Sequence, residues 1–555
     1  MKPKLPRLFL YLLGAVFLLN LLQGAFTELL FDEAYYWHYS REMAWGYFDH
    51  PPMVALLIKI GSMFFDGELG VRFMSSLLSV GTIWILWATL EEEKKSDFVL
   101  PFFVLVFSMP LLNAYGFFTL PDTSLLFFTA LFLLIYKKFI QEPSWVLSLA
   151  LGVCMAALVY SKYHGVLVIL FVLLSNLKLL KNKHAWVAVV ISLICFSPHF
   201  LWLVRNDFIS IRYHLFERPN QAYEFFEFTG GYFLNLIALF GLTFPWVYWA
   251  LFKSRSSDTF TRALLYLTYG VMVFFLISSF QRRVQTQWLI LICIPLAILA
   301  FRFMMREKQS MKWIMRTGIA NIVVLLVLRV GLVYEPLFPV AFETHGNKRW
   351  VDAIKSQIGD MPVVFENSYR EASMYAFYSE NPSFSLNNIY YRKNQYSIDG
   401  SEAMVQHQRI LQISKYLKSG DLSYEGPGEK RYYGIFKPDF ESFRKLECKL
   451  KQKDISVSDE EVSLDVFNPY SESIALEKLR FAVAYMNTYK KVQEVKIIEA
   501  TPINKSVKAL RPGETTSFSF AMPAPGAGEN PVYFKLCIAE NELHWGLNGE
   551  TLKLN

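Results

Sequence analysis

Long apolar runs recur through residues 1–334, and they constrain the fold of this chain more than any other feature. An α-helix needs about 20 apolar residues to cross a bilayer. Hydrophobic residues make up 53% of the sequence, which is too high a share for a soluble enzyme and predicts a polytopic α-helical membrane protein. The runs predict about eleven spans, near 8–29, 71–90, 98–119, 123–140, 145–161, 163–180, 185–204, 229–252, 263–281, 287–304 and 313–333.

The N-terminal segment MKPKLPR and the apolar run behind it resemble a signal peptide. However, the run exceeds the usual apolar length of about 7–15 residues and lacks a small-x-small cleavage site. We therefore expect a first helix that is retained.

The charged residues in the loops between the apolar runs predict the orientation of the chain in the membrane. If the N-terminus is cytoplasmic, the inner loops are EEEKKSD, YKKFIQEPS, LKLLKNKHA, KSRSSDTFTR and REKQSMKWIMR, which carry most of the Lys and Arg of this half. That distribution is what the positive-inside rule requires, so the net charge of +7 does not indicate a nucleic-acid partner. An odd number of spans then places everything after Tyr334 on the outer side.

The tail after residue 334 reads as water-soluble. Residues 335–425 contain a strand-like MPVVFEN and a helix-like SYREASMYAFYSE, which predict a small α/β domain. Residues 430–555 contain alternating segments such as SVSDEEVSLDVFN, VQEVKIIEA, TSFSFAMP and VYFKLCIAE, with turn signals at RPGE and PAPGAGENP. This pattern predicts a β-rich, β-sandwich-like domain.

The five cysteines predict no zinc site, because no CxxC or Cys/His spacing occurs. Cys154, Cys195 and Cys293 lie in apolar runs, where cysteine acts as a small hydrophobic residue. Cys448 and Cys537 lie in the tail and can pair if the tail faces an oxidising compartment.

The segment FDEAYYWHYSREMAWGYFDHPP, residues 31–52, directly follows the first run and is dense in ionisable and aromatic side chains. Ionisable groups at a membrane edge are candidates for function. Asp32 either caps a helix that begins at Glu33 or acts as a general base that accepts a proton from an attacking hydroxyl.

Two further outer-side segments carry carboxylates. Asp122, in Pro121-Asp122-Thr123, again either caps a helix or joins Asp32 in a pair that divides basic and orienting roles or shares a metal. Asp49 and His50 precede two prolines that fix an extended exit from the loop. The pair is either a rigid surface turn or a candidate site for a divalent metal or a phosphate oxygen.

Cations on the predicted outer side need a local reason, because the positive-inside rule disfavours them. They are Lys162, His164, Arg205, Arg212, Arg218, Arg282 and Arg283. An anionic lipid phosphate is one reason, since Arg matches phosphate with a bidentate fork. Snorkelling to lipid head groups is the other. Tyr36 and the neighbouring rings are either an interfacial aromatic belt or a surface that stacks on a sugar or a prenyl chain.

The order of these motifs resembles a known family. A first span, DE-A-YYW, WGYFDHPP, an outer PD, SKYHG and FSPHFLWLVRNDFISIRYHLFERP follow one another. This order is similar to that of the bacterial GT-C glycosyltransferases of the dolichyl-phosphate-mannose protein mannosyltransferase type. That group resembles the aminoarabinose lipid A transferases and the galacturonosyltransferases that act on lipopolysaccharide. The resemblance covers roughly residues 8–334.

The resemblance implies a GT-C fold in the bacterial inner membrane and an inverting transferase that uses a polyprenyl-phosphate sugar. By that likeness Asp32 is the catalytic base, Asp122 the second acidic residue, and Asp49 with His50 an acidic–basic pair near donor phosphate or metal. This chain has His50 where the aminoarabinose enzymes carry lysine. The candidate residues for donor phosphate or substrate are Glu33, Tyr36, His50, Lys162, His164, Arg282 and Arg283.

The expected partners are membrane lipid, a polyprenyl-phosphate sugar donor and a glycolipid, glycan or protein acceptor. The one cofactor that these motifs suggest is a divalent metal on Asp49 and His50. Two other functions fit the apolar half: a transporter or lipid-linked-sugar flippase, and an envelope assembly protein whose tail binds a partner. A transporter is expected to carry its ionisable groups near the bilayer midplane, whereas here they gather at one edge.

Overall fold

The computed structural model describes residues 5–426, 430–452, 455–457, 459–526 and 530–555. The chain forms two compact units. Unit 1 comprises Met1–Asp207 and Tyr223–His345, and unit 2 comprises Phe208–Ala222 and Gly346–Asn555.

Unit 1 is helical. Its helices, with α11 of unit 2 between them in chain order, are α1 Arg7–Phe26, α2 Phe31–Arg41, α3 Met53–Gly61, α4 Gly67–Thr89, α5 Val99–Phe107, α6 Pro110–Ala114, α7 Pro121–Gln141, α8 Trp145–Ser161, α9 Gly165–Ser175, α10 Lys183–Arg205, α11 Ile209–Arg212, α12 Gly231–Ala238, α13 Phe244–Lys253, α14 Thr259–Ser278, α15 Cys293–Arg306 and α16 Lys308–Val333. A 3₁₀ segment, Thr286–Ile292, runs directly into α15.

Seven helices among the described residues are long and apolar enough to cross a membrane. They are α1, α4, α7, α10, α14, Thr286–Arg306 and α16. The pair Phe226–Ala238 and Gly241–Lys253 passes the same test together but is bent by 93°, and α8 and α9 are shorter apolar helices.

Every predicted apolar run is helical, but not every run is one uninterrupted helix. The run predicted at 98–119 is divided between α5 and α6. Pro110 is the first residue of α6; proline lacks an N–H and disfavours helical geometry in the residue before it, so the helix breaks there. In the run at 229–252, Gly241 has a positive φ of 52° at the bend.

Unit 2 begins with a five-stranded sheet and two helices. The elements are α17 Asn347–Ile358, β1 Val363–Glu366, α18 Tyr369–Ser379, β2 Ser383–Leu386, β3 Ile410–Ser414, β4 Leu422–Glu425 and β5 Arg431–Lys437. The strand order is β2-β1-β3-β5-β4. Strand β1 is parallel to both β2 and β3, whereas β5 is antiparallel to its two neighbours.

The rest of unit 2 consists of antiparallel strands. They are β6 Glu447–Leu450, β7 Val462–Phe467, β8 Ile474–Ala475, β9 Leu479–Met486, β10 Val492–Ile498, β11 Thr501–Pro502, β12 Ala509–Leu510, β13 Thr515–Phe520, β14 Tyr533–Glu540 and β15 Leu552–Lys553. Two four-stranded sheets have the orders β10-β9-β14-β15 and β11-β13-β7-β6. One hydrophobic cluster takes residues from both sheets, and the Phe481 and Phe518 rings meet across it at 5.2 Å.

The predicted fold class is therefore confirmed: apolar helices fill the first part of the chain, and the C-terminal part is rich in strands. MPVVFEN supplies β1 and SYREASMYAFYSE supplies α18. The predicted turn at RPGE contains Gly513 with a φ of 67°. Residues 527–529 of the predicted PAPGAGENP turn lie outside the described residues.

Two local alternatives raised by the sequence do not hold. Asp32 and Asp122 are not N-cap residues, because α2 begins at Phe31 and α7 at Pro121, so each aspartate lies inside the first turn. Cys448 and Cys537 are both buried free thiols, so they pack as small hydrophobic residues.

The helical hairpin of α3 and α4 is closed by two glycines. A Cβ on Gly61 would lie 2.2 Å from the carbonyl oxygen of Gly70, and a Cβ on Gly70 would lie 2.1 Å from that of Phe65. Both obstacles are backbone atoms, which cannot move aside cheaply. This close approach fixes the first turn of α4, where Gly70 lies two residues before Arg72.

We expect Gly70→Ala to destabilise the protein by about 1–3 kcal/mol, the usual cost of forcing an atom into a packed site. Gly14→Ala in α1 is the matched control, since nothing lies within 4 Å of its added Cβ. The measurement is the midpoint of thermal unfolding of the purified protein in detergent. Equal midpoints for the two variants would contradict this account of the hairpin.

Candidate active site

A buried ion pair connects the segment after the first span to α4 and to the chain just before Asp122. Glu33 and Arg72 are both 0% exposed. The Arg72 guanidinium donates to the Glu33 carboxylate through Nε at 2.8 Å and Nη2 at 2.5 Å. The same carboxylate accepts from the backbone N–H groups of Thr119 at 2.8 Å and Leu30 at 3.0 Å. Glu33 therefore holds α2, α4 and the segment before α7 together.

Arg72 also binds the chain between α1 and α2. Its guanidinium donates to the carbonyl oxygens of Gly24 at 3.2 Å and Glu28 at 2.9 Å, and to that of Thr27. Its Cζ lies 5.2 Å from the ring centroid of Phe118. The pair Glu33–Arg72 is thus surrounded by protein donors and acceptors, and the Glu33 carboxylate is bound by protein groups.

Asp32, the neighbour of Glu33, is exposed. It lies in the first turn of α2, where the helix dipole stabilises a negative charge. Tyr115 lies within electrostatic range of both Asp32 and Asp122, so these two predicted residues share Tyr115 as a neighbour. The carboxylate of Glu343 accepts from the N–H of Phe31 at 3.3 Å and adds a third acidic side chain beside Asp32.

Asp122 forms the second ion pair of the site. It is 3% exposed, and the Lys162 ammonium contacts both its oxygens at 2.8 and 2.9 Å. Lys162 is itself buried. Two of its three N–H donors are therefore directed at Asp122. The pair joins the start of α7 to the turn between α8 and α9.

Asp49 and His50 fold back onto α2. Asp49 is buried and accepts from the hydroxyl groups of Tyr35 at 2.9 Å and Tyr39 at 3.3 Å. The imidazole of His50 meets the ring of Tyr36 edge-on at 5.6 Å. Tyr36 is buried in this arrangement, so its ring packs inside the site region.

His164, Arg282 and Arg283 lie around a neighbouring loop. The His164 ring lies 5.5 Å from that of Phe275 and 5.7 Å from that of Trp288, and these two rings flank the loop from 279 to 285. Arg282 and Arg283 lie in this loop, and Arg283 is exposed.

Besides Arg72, the sequence analysis missed two further buried residues, one histidine and one arginine. His199 binds the carbonyl of Trp45 at 2.6 Å and the Tyr163 hydroxyl at 3.1 Å, so it ties α10 to two site loops. Its sequence signal was weak, because a single histidine in an apolar run is usually structural.

Arg329 is the second missed residue. It is buried in α16 and donates to Asn113 through Nε at 2.8 Å and to Asn20 through Nη2 at 2.8 Å. Its Cζ lies 4.4 Å from the ring centroid of Phe117. An arginine inside an apolar run is a signal that could have found this network.

The predicted metal pair does not form a complete ligand set. Among the described residues, the one group of three side chains whose ligand atoms approach within 4.8 Å is His407, Glu441 and Glu472 in unit 2. Asp49 is held by two tyrosine hydroxyl groups, and two side chains alone do not make a divalent-metal site. We therefore derive no step through a metal at Asp49 and His50.

Comparison with known proteins agrees with the fold. A family model described as dolichyl-phosphate-mannose-protein mannosyltransferase matches residues 49–202. The lipid A galacturonosyltransferase RgtD of Rhizobium johnstonii is 21% identical over 285 residues, which cover 49% of this chain and 60% of that protein. The match thus spans about three fifths of this relative.

Two solved structures share the fold over most of the chain. ArnT from Cupriavidus metallidurans in the apo state matches with a TM-score of 0.55 at 14% identity, covering 77% of this chain and 96% of ArnT. The same protein bound to undecaprenyl phosphate matches with a TM-score of 0.56 at 15% identity, covering 76% and 97%. The family match and the shared fold agree with the resemblance to GT-C glycosyltransferases that the motif order indicated. The matched family and RgtD are named as glycosyltransferases, which does not favour the transporter alternative.

We expect Arg72→Leu to destabilise unit 1 strongly, because it leaves the buried Glu33 charge without its partner; such losses are typically about 3–5 kcal/mol. The double variant Glu33→Met with Arg72→Leu removes both charges and should recover most of the loss. Thermal unfolding midpoints in detergent test this. An Arg72→Leu protein as stable as the wild type would show that the pair does not hold the site together.

Proposed function

We propose that this protein is a membrane-embedded inverting glycosyltransferase. It moves a sugar from a polyprenyl-phosphate donor to an envelope acceptor on the outer face of the bacterial inner membrane. The acceptor is a hydroxyl group of lipid A or lipopolysaccharide, of another glycan or of a protein.

One observation carries the proposal: of the candidate carboxylates, only Asp32 is exposed. The others are buried with protein partners, namely Glu33 on Arg72, Asp122 on Lys162 and Asp49 on Tyr35 and Tyr39. A general base must reach the proton that it accepts. Asp32 meets that requirement, and its chain neighbour Glu33 is held in place by Arg72.

The chemistry follows from the donor. An acceptor oxygen attacks C1 of the sugar from the side opposite the phosphate, and the C1–O bond to the phosphate breaks. Asp32 takes the acceptor proton, while the bonding electrons leave with the polyprenyl phosphate. The configuration at C1 inverts, and no covalent sugar–enzyme intermediate is needed.

We assign to Lys162 the stabilisation of the departing phosphate. Its ammonium has three N–H donors and spends two of them on Asp122, which leaves a third for a phosphate oxygen. We assign the same role to His50 and to Arg282 or Arg283. Fixed cations directed at developing charge stabilise a transition state without reorganising.

Donor and acceptor classes rest on the relatives. ArnT has been solved with undecaprenyl phosphate, and RgtD is named for lipid A. Both support a polyprenyl-phosphate donor and a glycolipid acceptor for this chain. The positive-inside pattern of the loops supports the outer face as the site of transfer.

We expect Asp32→Asn to lower sugar transfer by about 10²–10⁴, the usual contribution of general-base assistance. Folding should be unchanged, because Asp32 is exposed. Asp66→Asn is the matched control, since Asp66 is another exposed aspartate at a helix start in unit 1.

Mass spectrometry of envelope glycolipids and glycoproteins is the measurement. A deletion strain is complemented with wild type, Asp32→Asn or Asp66→Asn at matched protein levels. A sugar-sized mass that is missing only with Asp32→Asn would identify the sugar and the acceptor together. Full modification with Asp32→Asn would overturn the proposed base.

Asp122→Asn should behave differently from Asp32→Asn. It removes the partner of a buried ammonium, so we expect both a lower unfolding midpoint and a loss of transfer. Transfer activity and thermal unfolding measured on the same purified variant separate the two effects. Lost transfer with an unchanged midpoint would make Asp122 a reacting group rather than a positioning residue.

A further inference from the structure

The sheet of unit 2 carries a polar cluster at the carboxyl ends of its parallel strands. Glu366 is the last residue of β1, Ser414 is the last residue of β3, and Asn388 follows β2 by two residues. The chain leaves β1 toward β2 on one side and later crosses to β3 on the other. In open α/β sheets, ligands bind beyond the carboxyl ends of the strands at such a switch point.

The Glu366 carboxylate organises this cluster. It is buried, and it accepts from Nδ1 of His544 at 2.5 Å, Oγ of Ser414 at 2.5 Å and Nδ2 of Asn388 at 2.9 Å. Burial by itself raises the pKa of Glu366, but the hydrogen bonds from His544 and Ser414 lower it below its ordinary value. The hydrogen bond to Glu366 in turn raises the pKa of His544.

The imidazole of His544 faces outward from this buried base. With Nδ1 on Glu366, Nε2 lies on the opposite side of the ring, and the His544 side chain is 57% exposed. A raised pKa favours the imidazolium, which presents an N–H donor and a positive charge there.

One exposed ring packs against His544, and an exposed lysine contacts that ring. The Tyr416 ring meets the imidazole edge-on at 5.5 Å and is 45% exposed. Lys415 is exposed, and its Nζ lies 5.3 Å from the Tyr416 ring centroid. Tyr390 is 60% exposed, and its N–H is held by Asn388 at 3.0 Å.

The floor of the cluster is held in one arrangement. Asn367 has a φ of 57°, an uncommon value outside glycine. Its side chain donates to Asn388 at 2.8 Å and to the Tyr416 hydroxyl at 3.1 Å, and it accepts from the Asn388 N–H at 2.8 Å. A prearranged site of this kind loses little conformational freedom when a ligand binds.

We propose that this edge of unit 2 is a second binding site, which takes an anionic saccharide. The phosphate or carboxylate group of the sugar binds the Nε2–H of His544 and the ammonium of Lys415, and the apolar face of the sugar ring packs on Tyr416. The proposal rests on unit 2 alone and does not require that unit 1 transfers sugar.

A purely structural role is the competing explanation. The N–H of Ile389 donates to the carbonyl of Trp545 at 2.8 Å, so the His544 loop also joins the sheet to the β-sandwich-like part. If the His544 loop had only this structural role, its mutation would lower the stability of unit 2, and the wild type would bind no sugar there.

The test is calorimetric titration of the full-length protein in detergent with glucosamine 6-phosphate, glucuronate and neutral glucose. We expect one or both anionic sugars to bind and glucose to bind far more weakly. Comparing the two anions distinguishes a phosphate from a carboxylate ligand.

Variants assign the binding to this cluster. His544→Gln should weaken binding at least about tenfold, the usual worth of a hydrogen bond to a charged group. Lys415→Gln should weaken it as well and, being exposed, should fold normally. His407→Gln is the matched control, because His407 is another partly exposed histidine of unit 2 that lies among acidic side chains.

Binding should also depend on pH. Glu366 and Arg444 are the charged groups that act on His544, and Tyr416 is the titratable ring against it. Since Glu366 raises the pKa of His544, affinity should be full at low pH and fall as the pH rises through that pKa. Absence of anionic-sugar binding up to the solubility of the sugars, equal binding of glucose, or binding unchanged in both His544→Gln and Lys415→Gln would overturn the proposal.

Discussion

The ion pair between Glu33 and Arg72 is the interaction on which the arrangement of unit 1 depends. It joins α2, α4, the link after α1 and the segment before α7 through one carboxylate and one guanidinium. Taking two charges out of water is costly, and the cost is offset only when every remaining donor and acceptor is also satisfied. Here the Thr119 N–H and the carbonyls around Thr27 complete the pair. The start of α2 therefore has one position relative to α4 and α7.

Because the start of α2 is fixed, the neighbouring carboxylates of Asp32 and Glu33 have different surroundings. Glu33 is buried and stabilises the fold, whereas Asp32, one residue earlier, is exposed. Successive helical residues lie about 100° apart around the axis, and here that rotation places Glu33 inside the protein and Asp32 at its surface. Asp122 repeats the buried arrangement with Lys162. The site thus combines the accessible carboxylate of Asp32 with two buried ion pairs, Glu33–Arg72 and Asp122–Lys162.

Much of unit 1 could be predicted from the sequence because its signals are local. Apolar runs predict helices, and the motifs after Phe31, at Asp122 and at Lys162 could be recognised as unusual without a structure. Arg72 could not be recognised from the sequence, because it lies 39 residues from Glu33 and stands at the start of a predicted apolar run. The capping alternatives for Asp32 and Asp122 were wrong by two residues, because the N-cap residues are Leu30 and Leu120; helix boundaries are usually uncertain by one or two residues.

In unit 2, too, local elements could be predicted from the sequence and long-range contacts could not. The strand at MPVVFEN and the helix after it were predicted from alternation and apolar content. The contact between Glu366 and His544 spans 178 residues, and no local pattern links the two. Strand order is also a tertiary property, so the place where β1 and β3 diverge could not be located from sequence. Residues that only the fold brings together, such as Glu366 and His544, therefore cannot be found by motif analysis.

The central claim is that Asp32 and Lys162 face the reacting bond. The most direct measurement is a cryo-EM structure of the full-length protein with polyprenyl phosphate added. The account predicts phosphate density within hydrogen-bonding distance of Lys162 Nζ, on the side of the site that Asp32 faces. Phosphate bound elsewhere, with Lys162 contacting Asp122 alone, would contradict it.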